Sequence, residues 1–248
     1  LSETGDGGFA IEASGLSRRY GRRWALANVS LEVPRGASVL LAGRNGSGKS
    51  TLLRLLATAI RPDRGTARIE GFDLVSGRDQ VRRRTALLGH HANTWEALTA
   101  LQNLAITADV LGRGRGRDEL MPLLDEVGLA DRADDAVGSF SAGMRKRLSI
   151  ARMLLQVEGE PSPASVVLLD EPYNQLDPPG FRFVDRMFER LRARGATMVI
   201  ATHLIERGAG LCDLGIVLEG GRVRWSGRAA DLPSQGGLEP AALAAGVA

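Results

Sequence analysis

The run GRNGSGKST, residues 43–51, sets Gly43, Gly46 and Gly48 around one lysine, Lys49, and follows it with Ser50 and Thr51. It fits the pattern G-x-x-x-x-G-K-[S/T]. It also follows a short apolar run, SVLLA, and opens a helix-like one, STLLRLLATAI. In that context the chemistry is anion binding. The glycines let backbone N–H groups of the loop, including those of Arg44, Asn45 and Ser47, turn toward a phosphate, and the helix N-terminus adds partial positive charge. Lys49 supplies a point charge for β- and γ-phosphates, and the Ser50 hydroxyl suits Mg²⁺. A second stretch completes the set. VVLLDEP, residues 166–172, is an apolar strand ending in Asp170 and Glu171. Asp170 is expected in the Mg²⁺ shell, and Glu171 is placed to polarise an attacking water. Alone, DEP would read as an acidic turn; beside a phosphate loop the catalytic reading prevails.

Such a site needs strands and helices to hold it. Strand patterns recur at FAIEASGLSRRY, WALANVSLEV, SVLLAG, TARIEGFDL, ALLG, SVVLLDEP, TMVIATH, IVLEGG and RVRWSG. Helical patterns fall at residues 50–60, across most of 99–130, at 141–156 and at 181–195. Strands alternating with helices predict an α/β fold with a parallel central sheet. The helical block from about 91 to 157 reads as an insertion between sheet strands, with the RGRGR tract at 113–117 as a flexible loop inside it. The folded unit spans about 9–230. Residues 1–8 are Gly-rich and polar and read as a disordered tail. Residues 231–248 form a C-terminal tail.

Composition narrows the alternatives. The 248 residues are 44% hydrophobic but only 4% aromatic, so the core must be built chiefly from Leu, Val, Ala and Ile. The pI near 9.6 comes almost wholly from arginine, since Lys49 and Lys146 are the only lysines. The arginines are scattered rather than striped among aromatics, which argues against a nucleic-acid partner. The lone cysteine, Cys212, has no internal disulfide partner. No signal peptide is read, and no apolar run approaches the 18 or so residues of a membrane span. The expectation is a cytoplasmic protein.

With both motifs placed, residues 9 to about 228 resemble the ATP-binding subunits of ABC transporters. The resemblance implies a P-loop NTPase core of the ABC type, with an N-terminal antiparallel β subdomain and an inserted α-helical subdomain. Tyr20, in RRYG, matches the aromatic that stacks on adenine. FSAGM, residues 140–144, takes the place of the LSGGQ signature. Ser141 and Gly143 are retained, while Phe140, Ala142 and Met144 depart from it. In that family the signature binds the γ-phosphate of ATP held by the opposite subunit. NQLD, residues 174–177, fits the loop crossing the dimer seam, with Asp177 as its acid, and His203 fits the γ-phosphate-contacting histidine. The resemblance therefore implies ATP and Mg²⁺ as ligands, a head-to-tail homodimer on ATP binding, and an integral membrane permease that holds the subunits at the cytoplasmic face of the membrane.

Two of the three histidines stand together in GHHANTWEALTALQNL, residues 89–104. As a pair they lack a third ligand at metal-site spacing. In the family a glutamine at this point reaches Mg²⁺ and the water. His91 occupies its place, as a metal-facing and catalytic candidate, while His90 is expected to point the other way along an extended backbone. Leu98, Leu101 and Leu104 are spaced for one helical face with Trp95 at its edge, part of the groove that receives the permease in the family. The whole stretch resembles the ATP-binding subunit of the haem exporter of cytochrome c maturation. The alternatives are another ABC exporter, or a soluble or regulatory ABC ATPase uncoupled from transport.

Overall fold

The computed structural model describes residues 8–90, 93–158 and 164–232. Residues 1–7 and 233–248, which make up most of the two expected tails, and His91 lie outside the described residues.

The chain opens with a long hairpin, β1 (Phe9–Tyr20) and β2 (Arg23–Pro34), and continues through β3 (Ser38–Ala42) into α1 (Lys49–Leu56). Next come β4 (Arg64–Ile69), β5 (Phe72–Asp73), α2 (Arg78–Arg84) and β6 (Thr85–Leu88). Three helices follow: α3 (Ala100–Val110), α4 (Arg117–Glu126) and α5 (Ala142–Val157). The chain then returns through β7 (Val166–Asp170), α6 (Pro178–Ala193), β8 (Thr197–Ala201), α7 (Ile205–Leu211), β9 (Leu214–Glu219) and β10 (Arg222–Arg228).

The strands form two sheets. One is antiparallel, in the order β2-β1-β4-β5. The other runs β10-β9-β3-β8-β7-β6, parallel throughout except for the β9–β10 hairpin at its edge. Helices α3 to α5 lie in sequence between β6 and β7, which are paired neighbours, so the helical block is inserted between adjacent strands as the sequence predicts.

The parallel strands are buried on both faces, and their alternation divides the core in two. Val167 and Leu169 pack with Met198, Ile200 and helices α3 to α6. Val166 and Leu168 pack with Leu41, Val199, the leucines of α1 and the inward residues of β1 and β2. Leu52, Leu53, Leu55 and Leu56 are all buried, and each contributes about 1.5–3 kcal/mol of apolar transfer. That packing fixes α1, and with it the phosphate loop at its N-terminus, on the sheet face shared by Val166 and Leu168. Asp170 has the same parity as those two residues.

Two short helices, α2 and α7, were not read from the sequence; at seven residues each they are too short for a helical period to emerge. The proposed face of Leu98, Leu101 and Leu104 is corrected. Thr99 caps α3 through a reciprocal capping box with Gln102, so Leu98 precedes the helix, and only Leu104 of the three is fully buried. The buried Asn103 side chain instead bonds the main chain of Trp95 and Thr99, which moors the loop to the helix.

Candidate active site

A cleft of about 850 Å³ opens where the two sheets meet. Its lining joins the phosphate loop (Asn45, Gly46, Gly48, Lys49, Ser50 and Thr51) to Asp170 and Glu171. Tyr20, Arg23, His90, Asn174 and His203 face the same space.

The loop owes its shape to backbone no other residue type adopts readily. Gly48 caps α1 at φ 111°, and a Cβ there would sit 2.6 Å from the Ala25 carbonyl oxygen and from the Leu26 side chain. It brings no capping side chain, and the first turn of α1 carries no acid. The helix N-terminus is thus left for an external anion. Gly43 and Arg44 offer their carbonyls to Lys49, whose Nζ donates to them at 2.6 and 3.3 Å. Burial lowers the Lys49 pKa, while Glu171 and Asp170 act in the opposite sense and favour its charge.

Asp170 ends β7 almost wholly buried, and its Oδ1 has no hydrogen-bond partner. A buried oxygen of this kind is costly unless a ligand satisfies it. With the exposed Ser50 hydroxyl in the same cleft it forms a donor set suited to Mg²⁺, which is held by one or two protein oxygens and completed by phosphates and water. Among the described residues no three His, Cys, Asp or Glu side chains cluster as an all-protein metal site.

Glu171 lies just past the strand at φ 49°, a left-handed conformation that a glutamate holds only where its surroundings impose it. Its N–H is tied to the Ala201 carbonyl at 2.8 Å, which keeps it in line with the end of β8. Its Oε2 meets His203 Nδ1 at 2.9 Å and the His203 backbone N–H at 3.4 Å. A carboxylate turned into a phosphate cleft and steadied by a histidine is a competent water-orienting base.

Where the first hairpin borders the cleft, Tyr20 is half exposed, with the Arg18 guanidinium 5.3 Å from its ring centroid. Arg23 pairs with Tyr20 across the two-residue turn of the first hairpin, and the sequence reading missed it. His90 faces the cleft, which corrects the expectation that it points away. Alternation along an ideal strand does not apply there, because β6 has already ended at Leu88.

The signature residues lie elsewhere. Ser141 caps α5 by accepting the Met144 N–H at 3.2 Å, and the exposed Ala142 follows in the first turn. Ser141, Gly143, Met144, Arg147 and Asp177 line a separate depression of about 300 Å³. A Cβ at Gly143 would come within 2.9 Å of the Gln175 carbonyl, so the start of α5 is pressed against the 174–177 loop. Asp177 caps α6 through Gly180 and pairs with Arg147 at 2.8 Å; both interactions hold its carboxyl below the usual range.

Lys49 at a helix N-terminus, with a buried acid and a second carboxylate beyond it, defines a P-loop ATPase. The chain belongs to the ABC transporter family, as its ATP-binding domain: the family model matches residues 26–174, and the ligands of that domain are ATP and Mg²⁺. The daunorubicin/doxorubicin resistance ATP-binding protein of Streptomyces peucetius is 37% identical over 91% of this chain and 67% of its own length. An aliphatic sulfonates import ATP-binding protein of Burkholderia lata is 37% identical over 86% of this chain and 62% of its own. The chain thus spans about two thirds of the length of these relatives. Among solved structures, the ATP-binding subunit of an ABC transporter superposes with a TM-score of 0.77 at 29% identity, covering 88% of this chain and 90% of that one. A dimeric bacterial ABC transporter cassette superposes with a TM-score of 0.78 at 25% identity, covering 88% and 98%. No helix among the described residues is long and apolar enough to cross a membrane.

Proposed function

We propose that this chain is the ATP-hydrolysing motor of a membrane exporter, acting as a homodimer closed by ATP beneath an integral permease at the cytoplasmic face of the membrane. The observation that carries the reading is the division of the site: one chain holds Lys49, Ser50, Asp170, Glu171 and His203 around a single cleft, and its signature residues face a different one. In the proposed dimer, Ser141, Ala142, Gly143 and Met144 of one subunit close over the γ-phosphate held by the other, with Asp177 at the seam. Glu171 takes the proton of the attacking water and His203 orients it. His91 stands in for the glutamine of the family.

We further propose that the exporter is of the haem type that serves cytochrome c maturation. This rests on the stretch from Gly89 to Leu104, whose residues resemble that branch. The likeness to the daunorubicin-resistance proteins favours a second reading, a drug-resistance exporter. The two separate in one experiment. The chain is purified with the membrane subunit it captures, reconstituted in vesicles, and assayed for ATPase stimulation by haem and by daunorubicin. Stimulation by haem alone supports the first reading. Stimulation by daunorubicin alone replaces it with the second, and failure to capture any membrane protein counts against both.

A further inference from the structure

Both lysines of the chain feel the charge of the same two acids, Asp170 and Glu171. Lys49 does so from the phosphate loop. Lys146 does so from the opposite side, on α5, with 2% of its surface exposed and its Nζ 3.4 Å from the backbone carbonyl oxygen of Asp170. For both ammonium groups the favourable charges are Asp170 and Glu171.

Its neighbours go elsewhere. Arg145 bonds the Phe140 carbonyl, and Arg147 reaches the Val127 carbonyl and Asp177. Of the basic triplet after the signature, only Lys146 is buried, just past the first turn from Ser141. Burial draws its pKa down to about 8, against the pull of Asp170 and Glu171. An ammonium taken out of water and hydrogen-bonded, among the described residues, to one carbonyl alone is a poor stabiliser of a fold even with two acids near it, and an apolar side chain of similar volume would serve packing better. The residue type is also specific. A guanidinium carries five donors in a planar fork and would leave several unpaired there, whereas an ammonium is a compact charge on a slim stem. Every other basic position outside the phosphate loop is arginine.

We propose that Lys146 is a positioning residue for hydrolysis: it ties the signature helix to the carbonyl of Asp170, so that a phosphate docking at the N-terminus of α5 is registered at the two acids that end β7 and follow it. The proposal rests on the ATPase reading above. It adds a link within one chain between the surface offered to the partner's nucleotide and the carboxylates that serve its own.

The test uses the full chain with three substitutions. Lys146→Met removes donor and charge, Lys146→Gln keeps a donor, and Lys49→Ala is the inactive reference. Turnover, KM for ATP, binding of a fluorescent ATP analogue and the melting temperature are measured for each. The proposal predicts that kcat falls about tenfold or more in Lys146→Met and by less in Lys146→Gln. KM and analogue binding should stay within about twofold of wild type, and the melting temperature of Lys146→Met should be no lower than wild type. Wild-type kcat in both Lys146 variants would overturn it, as would a loss of turnover that appears only with a drop in melting temperature while Lys146→Gln remains fully active. Absence of turnover in the wild type, at the level of Lys49→Ala, would instead remove the ATPase reading and this proposal with it.

Discussion

The nucleotide cleft and the signature depression are built on opposite plans. The cleft keeps unmet demands inside one chain: a buried Asp170 oxygen without a partner, an uncapped helix N-terminus at Gly48, and Glu171 held at positive φ. Such features persist where a ligand completes them. The signature depression satisfies itself. Ser141 caps its own helix, Asp177 caps the next and pairs with Arg147, and both side chains face solvent. The contrast is what the proposed dimer requires: one chain prepared to bind nucleotide in its cleft, and a separate, self-satisfied surface left to close over the nucleotide of a second chain.

The comparison breaks most visibly at Glu171. Glu171→Gln should leave ATP binding intact and lower hydrolysis by roughly 10²- to 10⁴-fold, the range for loss of a general base. Steady-state turnover beside equilibrium nucleotide binding checks this, and near wild-type turnover would take Glu171 out of the chemistry. Lys49→Ala should act on the other quantity. MgATP affinity should fall by more than about tenfold, equivalent to about 1.4 kcal/mol, because the phosphates lose their ammonium partner. Calorimetric titration of the isolated chain reads it directly; affinity within a factor of two of wild type would contradict the phosphate-loop assignment.

Smaller effects sharpen the edges of the cleft. His90→Ala should lower turnover by roughly two- to fivefold with little change in affinity, since it lines the same cleft as Asp170 and Glu171. His91→Ala, tested in parallel, addresses the proposed substitute for glutamine: slower turnover with unchanged binding supports it, and turnover equal to wild type removes it. Tyr20→Ala should weaken ATP binding by a few-fold, on the order of 1 kcal/mol of lost stacking, while Tyr20→Phe should not. Competition between ATP and GTP then reports whether the base is held there.

Legibility followed range along the chain. The phosphate loop and the Asp170–Glu171 pair were readable because each is a short motif whose neighbours in sequence are its neighbours in space. The parallel sheet was readable because strands buried on both faces are unbroken apolar runs, as in SVLLA and VVLLD. What escaped depends on where a local pattern stops. Thr99 and Gln102 spell a capping box, and noticing it would have placed Leu98 before the helix rather than on it. The two-residue turn Gly21–Arg22 sets Arg23 opposite Tyr20, which would have added Arg23 to the cleft. Nothing local distinguishes Lys146 from the arginines on either side of it; its inward direction follows from the packing of α5 beside β6, which brings Nζ to the Asp170 carbonyl.

The central claim is that Ser141 of one chain completes the site of another. It is tested most directly by sedimentation of Glu171→Gln, which is expected to bind ATP without hydrolysing it, against the double variant Glu171→Gln/Ser141→Arg. The account predicts that the single variant sediments as a dimer with MgATP and as a monomer without it. The double variant should remain a monomer while binding ATP with unchanged affinity, because an arginine at the start of α5 obstructs the partner's phosphate and leaves the cleft of its own chain intact. Equal ATP-dependent dimerisation of the two variants would contradict it.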